Sequence, residues 1–313
     1  MTYAAGGSIQ ASDYNTLIGS GATANTLNAV WSTGSGSAGY GQTALATVTA
    51  GNPVAATNWA NLVNTTANVG THQGSTLTAV TAPVAGGSIA YIAAIPTNLQ
   101  TTYTNRLNAA TQGGTTANTA TRASTWTTAI TFTHTVTFAN GDAARYFFNS
   151  GGQLKITCSH ANATAGINLL FNGLASNIGT VVVSAPSSGT ATVSGVTYSG
   201  VTKVGGGGNS PTISANTGYY ALTTGNATIF TQTASTGPAG YLATFIRMIA
   251  KSNGPQGANG DAGSIITIYT VWDEVPDGLT VGTGSTTTVT AVAPEITNIT
   301  NTWGTISIAG TVA

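Results

Sequence analysis

Charge is what this sequence has least of. Of 313 residues, 7 are Lys or Arg and 7 are Asp or Glu, so 4% of the chain is charged and its formal net charge is zero. Ordinary soluble domains carry about 25%. Seven basic residues scattered singly offer no footprint for a phosphate backbone, so nucleic acid is not an expected partner. No apolar run approaches the roughly 20 residues needed to span a bilayer, so neither is a membrane. Residues Met1 to Gly7 show no basic stretch ahead of an apolar core, and no secretory signal is expected. Cysteine is nearly absent: Cys158 stands alone, which excludes an intrachain disulfide. With 3 histidines beside it, ligands are too few for a closed metal site, and no metal or cofactor is expected.

What fills the chain instead is threonine, 60 residues of it, among many Ala, Gly, Ser and Asn. Such a surface is hydrated by hydroxyls and amides, and without net charge it lacks the self-repulsion that keeps copies apart. Self-association is therefore expected. The 41% hydrophobic content, in regular alternation, is enough to bury a core and argues against disorder. A length of 313 residues exceeds one typical domain of about 150.

Residues 1–112 read as a small helical module. Ile9 to Ile18 and Val54 to Val63 share one pattern: apolar, any, Ala, Ser/Thr, Asp/Asn, aromatic, two variable, Leu, branched aliphatic. Tyr14, Leu17 and Ile18, like Trp59, Leu62 and Val63, recur at helical spacing, with Ser12 and Thr57 as N-cap types. A third helix is predicted over 97–110 behind Pro96. Residues 113–125, poor in aliphatic side chains, read as a linker. Over 126–278 the pattern is strand-like, with predicted strands at 128–139, 144–149, 153–160, 166–171, 179–184, 190–198, 218–223, 227–233, 241–250 and 264–274. Short strands at this spacing predict a mainly β fold, an antiparallel β-sandwich or jelly-roll-like domain behind the helical module. Residues 279–313 form a C-terminal β tail with strands at 286–292 and 302–309, placed across a neighbouring subunit.

The chain is organised around residues 130–156. Ile130, Phe132, His134, Val136 and Phe138 alternate with four threonines, a period of two. Asp142, Arg145 and Lys155 then accompany the densest aromatic cluster, Tyr146-Phe147-Phe148, and Asn149-Ser150-Gly151-Gly152 reads as a hairpin turn between strands. The run TFTHTVTFANGDAARYFFNSGGQLKI resembles a segment of virion structural proteins of tailed bacteriophages, of the tail or tail-fibre-associated, cyanophage-like kind. The likeness is carried by residues 125–160, and loosely by IQASDYNTLI, NWANLV and IYTVWDEVPDG. It implies a particle component assembled in a host cytoplasm, oligomeric (trimer- or hexamer-related), with other virion proteins as partners. It implies no catalytic residues. A capsid decoration or head-fibre role, or an adhesin for a host-surface glycan presenting Trp126, Trp272 or Trp303, are the alternatives.

Individual candidates are weak beside their structural readings. Cys158 and His160 share one strand face but have no third partner. His72 and His134 stand singly. Asp273 and Glu274 point to opposite faces of a strand, which opposes hydrolysis or calcium binding there, and Asp277-Gly278 reads as turn chemistry. Arg145 with Asp142 reads as an ion pair or backbone-bonding anchor at a strand start. Gly254 to Gly263 places Gly at every third position, too briefly for a triple helix, and reads as a loop. No catalytic, cofactor or metal residue is assigned, and the chain reads as a non-enzyme.

Overall fold

The computed structural model describes residues 9–84, 92–162, 164–258 and 260–313. Met1 to Gly7 and Asn259 lie outside them. Four helices come first: α1 (Ala11–Ile18), α2 (Leu27–Trp31), α3 (Ala56–Gln73) and α4 (Ala94–Thr104). The repeat is visible in space, because Tyr14 and Trp59, equivalent positions in its two copies, pack with ring centroids 6.3 Å apart. Their caps match too. The Asp13 carboxylate accepts from Gln10 N (3.0 Å) and the Asn58 amide oxygen from Ala55 N (3.1 Å). The N-caps are thus Gln10 and Ala55, and the third helical residue reaches back to each, so Ser12 and Thr57 sit inside their helices. At Gly19 φ is +68°, and a Cβ there would collide with Thr26, which separates α1 from α2. Helix α4 stops at Thr104, short of the predicted 110.

Asparagines fasten the extended segments between these helices. Asn15 brackets Val48, accepting from its N–H (2.9 Å) and donating to its C=O (2.8 Å). Asn28 does the same for Leu45 and Asn98 for Thr78. A helical side chain thereby imitates a neighbouring strand, satisfying backbone groups that no sheet reaches.

The rest is a mainly β body. In chain order come β1 (Gln112–Arg122), β2 (Ala129–Thr137), helix α5 (Gly141–Asn149), β3 (Gln153–His160), helix α6 (Gly166–Ile178), β4 (Thr180–Val183), β5 (Ala191–Val193), β6 (Val196–Tyr198), β7 (Val201–Val204), β8 (Thr212–Ile213), β9 (Ala227–Thr233), β10 (Phe245–Ser252), β11 (Ile265–Asp273), β12 (Ser285–Pro294) and β13 (Ser307–Val312). One antiparallel sheet runs β1-β12-β3-β4-β7, the other β13-β2-β11-β10-β9-β8, and β5-β6 is a small hairpin. The two large sheets face each other: Trp272 of β11 donates to the Thr287 hydroxyl of β12 (3.3 Å) across the interior. Helix α6 packs against β3, β9 and β10, inserting Phe171 beside Trp126 and Trp272. Apolar side chains of the helices and of both sheets form one continuous core.

Four local expectations are corrected. Residues 144–149 are helix α5, not a strand, because Asn140 caps its first turn (Ala143 N to Oδ1, 2.8 Å) and Asp142 meets the positive helix end. Residues 166–171 belong to helix α6, whose Ile167, Leu170, Phe171, Leu174 and Ile178 follow a 3.6-residue period onto the core. Residues 218–223 hold only a 3-10 turn, Tyr219–Ala221. The expected linker 113–125 is mostly strand β1, held by backbone pairing to β12 rather than by apolar side chains. The tail does not lie apart either: β12 is central in one sheet and β13 pairs with β2 in the other.

Threonines form a row on the outer face of the first sheet. Thr119, Thr288, Thr157 and Thr180 stand in register across four strands. The hydroxyls of Thr119 and Thr288 lie 2.8 Å apart, and those of Thr121 and Thr286 3.0 Å. Cross-strand pairs of this kind stabilise a sheet by roughly 0.2–1 kcal/mol each.

Candidate functional site: the polar hub on helix α5

Arg145 and Asn149 lie one turn apart on α5, and both are fully buried. The Arg145 guanidinium donates to the carbonyls of Thr33 (2.7 Å), Ala38 (3.0 Å) and Gly36 (3.1 Å) and, at 3.3 Å, to the Asp142 carboxylate. It also lies 5.2 Å from the Tyr146 ring centroid. Asn149 donates to the carbonyls of Ala38 and Gly39, both at 3.0 Å. The Tyr220 hydroxyl sits 2.7 Å from Asn149 Oδ1 and 2.8 Å from Gly36 O, one proton shared between two acceptors. Asp142 further accepts from Gly260 N (3.3 Å), which ties in the loop after β10. Beneath this layer Phe147 and Phe148 meet edge to face at 5.0 Å, and Phe148 stacks on Tyr219 at 4.3 Å. The hub joins residues 33–39, α5 and residues 219–220. Its donors are occupied by main-chain carbonyls, so its chemistry is that of a fastening.

The histidines are placed the same way. His72 lies 3.1 Å from the Ser150 carbonyl; a carbonyl only accepts, so Nε2 carries the proton. Burial holds its pKa down at about 4. His160 shows a relay-like geometry, with Nδ1 3.1 Å from Ser285 Oγ and Nε2 3.1 Å from Asn168 Oδ1. Asn168 Oδ1 also accepts from Gly282 N (2.6 Å), so it is an acceptor, Nε2 is protonated, and Ser285 donates to Nδ1. That order resembles a hydrolase relay. Yet Ser285 is 0% exposed and its oxygen accepts from the Trp126 indole (3.1 Å), so no substrate reaches it. His134 is buried between the sheets, where Gly310 leaves it room: a Cβ at residue 310 would come within 2.9 Å of its ring. Burial lowers the pKa of His134 and His160 as well.

Cys158 does lie on the inward face of β3 with His160, but its thiol meets the Thr287 hydroxyl at 3.9 Å and burial pushes it up to about 12. Glu274 is buried and accepts from Leu279 N (2.8 Å), closing the turn after β11. Asp273 lies on the opposite face, its pKa raised by desolvation and then by Asp277. Among the described residues no three His, Cys, Asp or Glu side chains converge as metal ligands. Trp126, Trp272 and Trp303 are 5%, 0% and 3% exposed, so the aromatic platform expected of them is instead part of the core. Of the expected loop 254–263, residues 254–258 and 260–263 are described and contain no helix or strand; Gly263 N bonds Pro255 O (3.2 Å). Two surface grooves accompany these features. One of about 370 Å³ is bounded by α3, α4 and residues 75–80, and another of about 450 Å³ by the start of β1, the end of β12 and residues 295–306.

No family model, curated protein or solved structure matches the chain. No helix among the described residues is long and apolar enough to cross a membrane. The signal for the hub was present in the sequence as Asn140-Gly141-Asp142, a helix start, while its partners at 33–39 carry no side-chain signature because they take part through carbonyls.

Proposed function

We propose that the protein is a non-catalytic structural component of a tailed-phage virion, positioned on the tail side as a fibre, baseplate-attached or adaptor subunit and present in several copies. The observation that carries the reading is how the molecule uses its scarce charge. The most deeply buried charged side chains, Arg145 and Glu274, each bind the chain's own backbone. An uncharged threonine row runs across four strands on the outer face of the sheet that contains β1, β12, β3 and β4, and interfaces that stay assembled disfavour charge at their centres. The likeness of residues 125–160 to phage tail proteins supports the same reading, since that segment builds the hub.

The test is to purify intact particles from a lysate, quantify the chain by mass spectrometry and locate it by cryo-electron microscopy. A fixed copy number and density on the tail are expected. Absence from purified particles ends this reading, and density on the capsid lattice would replace it with a head-decoration role. One observation favours glycan attachment as a second reading: Tyr269 and Phe245 line the outer face of β10 and β11 with Lys251 and Arg247 over their rings at 5.5 and 5.1 Å. Loss of glycan-array binding in Tyr269→Ala would identify that role.

A further inference from the structure

Two further grooves meet at Thr224, in the loop that leads into β9. One, of about 300 Å³, lies between the end of β10, at Lys251 to Asn253, and Thr267 of β11. The other, of about 380 Å³, is lined by Tyr220, Leu222 and Pro255, with Gln256 beside them. The Tyr220 hydroxyl is turned into the hub, which leaves its ring to the groove. Main-chain pairing fixes these walls. Ser252 N donates to Thr223 O (2.8 Å) and Asn253 N to Ile265 O (3.0 Å), and Asn253 Oδ1 accepts from Ile265 N (2.9 Å). With those backbone groups paired, recognition is left to side chains.

The side-chain groups left over are donors. Lys251 faces outward directly opposite Thr267, and its Nζ stands 5.5 Å from the Tyr269 ring centroid. The ring attracts the ammonium without accepting its protons in ordinary hydrogen bonds. Among the described residues Lys251 forms no ion pair or hydrogen bond. Gln256 Nε2 is buried and has no acceptor there either, a state that costs free energy until a partner arrives. The acids of neighbouring segments are engaged elsewhere. Asp273 stands opposite Phe245, at the other end of β10 and in the field of Arg247, and Asp261 accepts from Ala258 N (2.6 Å).

We infer that the joined grooves bind an acidic oligosaccharide, with a sugar carboxylate on Lys251 Nζ between the hydroxyls of Thr224 and Thr267. A neighbouring pyranose lays its C–H face against Tyr220 and Pro255, and Gln256 Nε2 donates to one of its oxygens. Unmet donors call for an acceptor-rich ligand, the lone cation for a negative one, and the aromatic and proline wall for the apolar face of a sugar ring. A peptide added as a strand needs free main-chain groups, and those named here are paired. Tyr269 is a positioning residue beneath Lys251. The inference rests on the glycan-attachment reading and names its ligand class.

The full chain is applied to an array carrying uronate- and sialate-bearing glycans beside their neutral counterparts, and the best-retained glycan is titrated by calorimetry. Retention of the acidic glycans alone is expected. Lys251→Gln should weaken binding about tenfold or more, with part of it recovered in Lys251→Arg. Thr224→Trp should abolish it by filling the junction. Thr224 is exposed and Lys251 bonds nothing in the chain, so these variants should keep the wild-type melting temperature, which separates lost binding from lost folding. Equal retention of neutral and acidic glycans, or an affinity that ignores both substitutions, overturns the inference and leaves glycan attachment standing at another surface. Polyglutamate bound as tightly as the best glycan also overturns it, with an acidic peptide as the occupant. A chain that retains no glycan of either kind removes the attachment reading and this inference together.

Discussion

At Arg145 the guanidinium has exchanged water for three main-chain carbonyls and a carboxylate. Replacing it by Met strands those acceptors, and a loss of about 3 kcal/mol is expected in denaturant unfolding. Lys keeps the charge without the planar fork and is expected to recover only part of this. The histidines set the acid limit. His72 has a folded pKa of about 4 against an ordinary 6.5, so between those values the unfolded chain binds more protons. Its stabilising effect is whole above about pH 6.5 and falls as pH drops toward 4, by about 3 kcal/mol in all. His134 and His160 are lowered too and act with the same sign. Unfolding midpoints measured from pH 7 to 4 should fall steadily, and His72→Gln should flatten the slope. An unchanged slope would show that His72 is not buried neutral. Cys158 should resist alkylation at pH 8 until the chain unfolds, as expected for a thiol held near 12.

Among the elements, those whose side chains alternate could be read from sequence and those that answer to backbone partners could not. Strands β2 and β11 announce themselves through Ile130, Phe132 and Val136 and through Ile266, Ile268 and Trp272, all facing inward. Strand β1 gives no such sign, since Gly114, Thr115 and Ala117 are exposed, and backbone pairing to β12 holds its conformation. Helix α5 is obscured because its polar stripe, Asp142, Arg145 and Asn149, is short and its last two members are buried, so beside three consecutive aromatics it does not read as a solvent face. Its cap predicts a cost. Asn140→Ala should lose about 1 kcal/mol, with faster amide exchange at Ala143 as the local signature. The asparagine brackets make a similar claim: Asn28→Ala should speed exchange at Leu45 N–H, whose acceptor it removes.

Taken as a whole, the molecule is ordered by pairings far apart in sequence. Gln42 bonds Thr300 at both its carbonyl (2.9 Å) and N–H (3.1 Å), and Thr302 donates to Tyr40 O, so the helical end and the segment between β12 and β13 hold each other. The sheet topology has a consequence for synthesis. Strand β12 lies between β1 and β3, and β13 borders β2, so while the ribosome is still translating residues 285–312 both layers lack a member. The nascent chain can collapse and form its helices, but its final architecture waits for those codons. Maturation should then be slow, as expected where distant segments must find one another, and aggregation is most probable in that interval, when β3 has no neighbour on its β12 side.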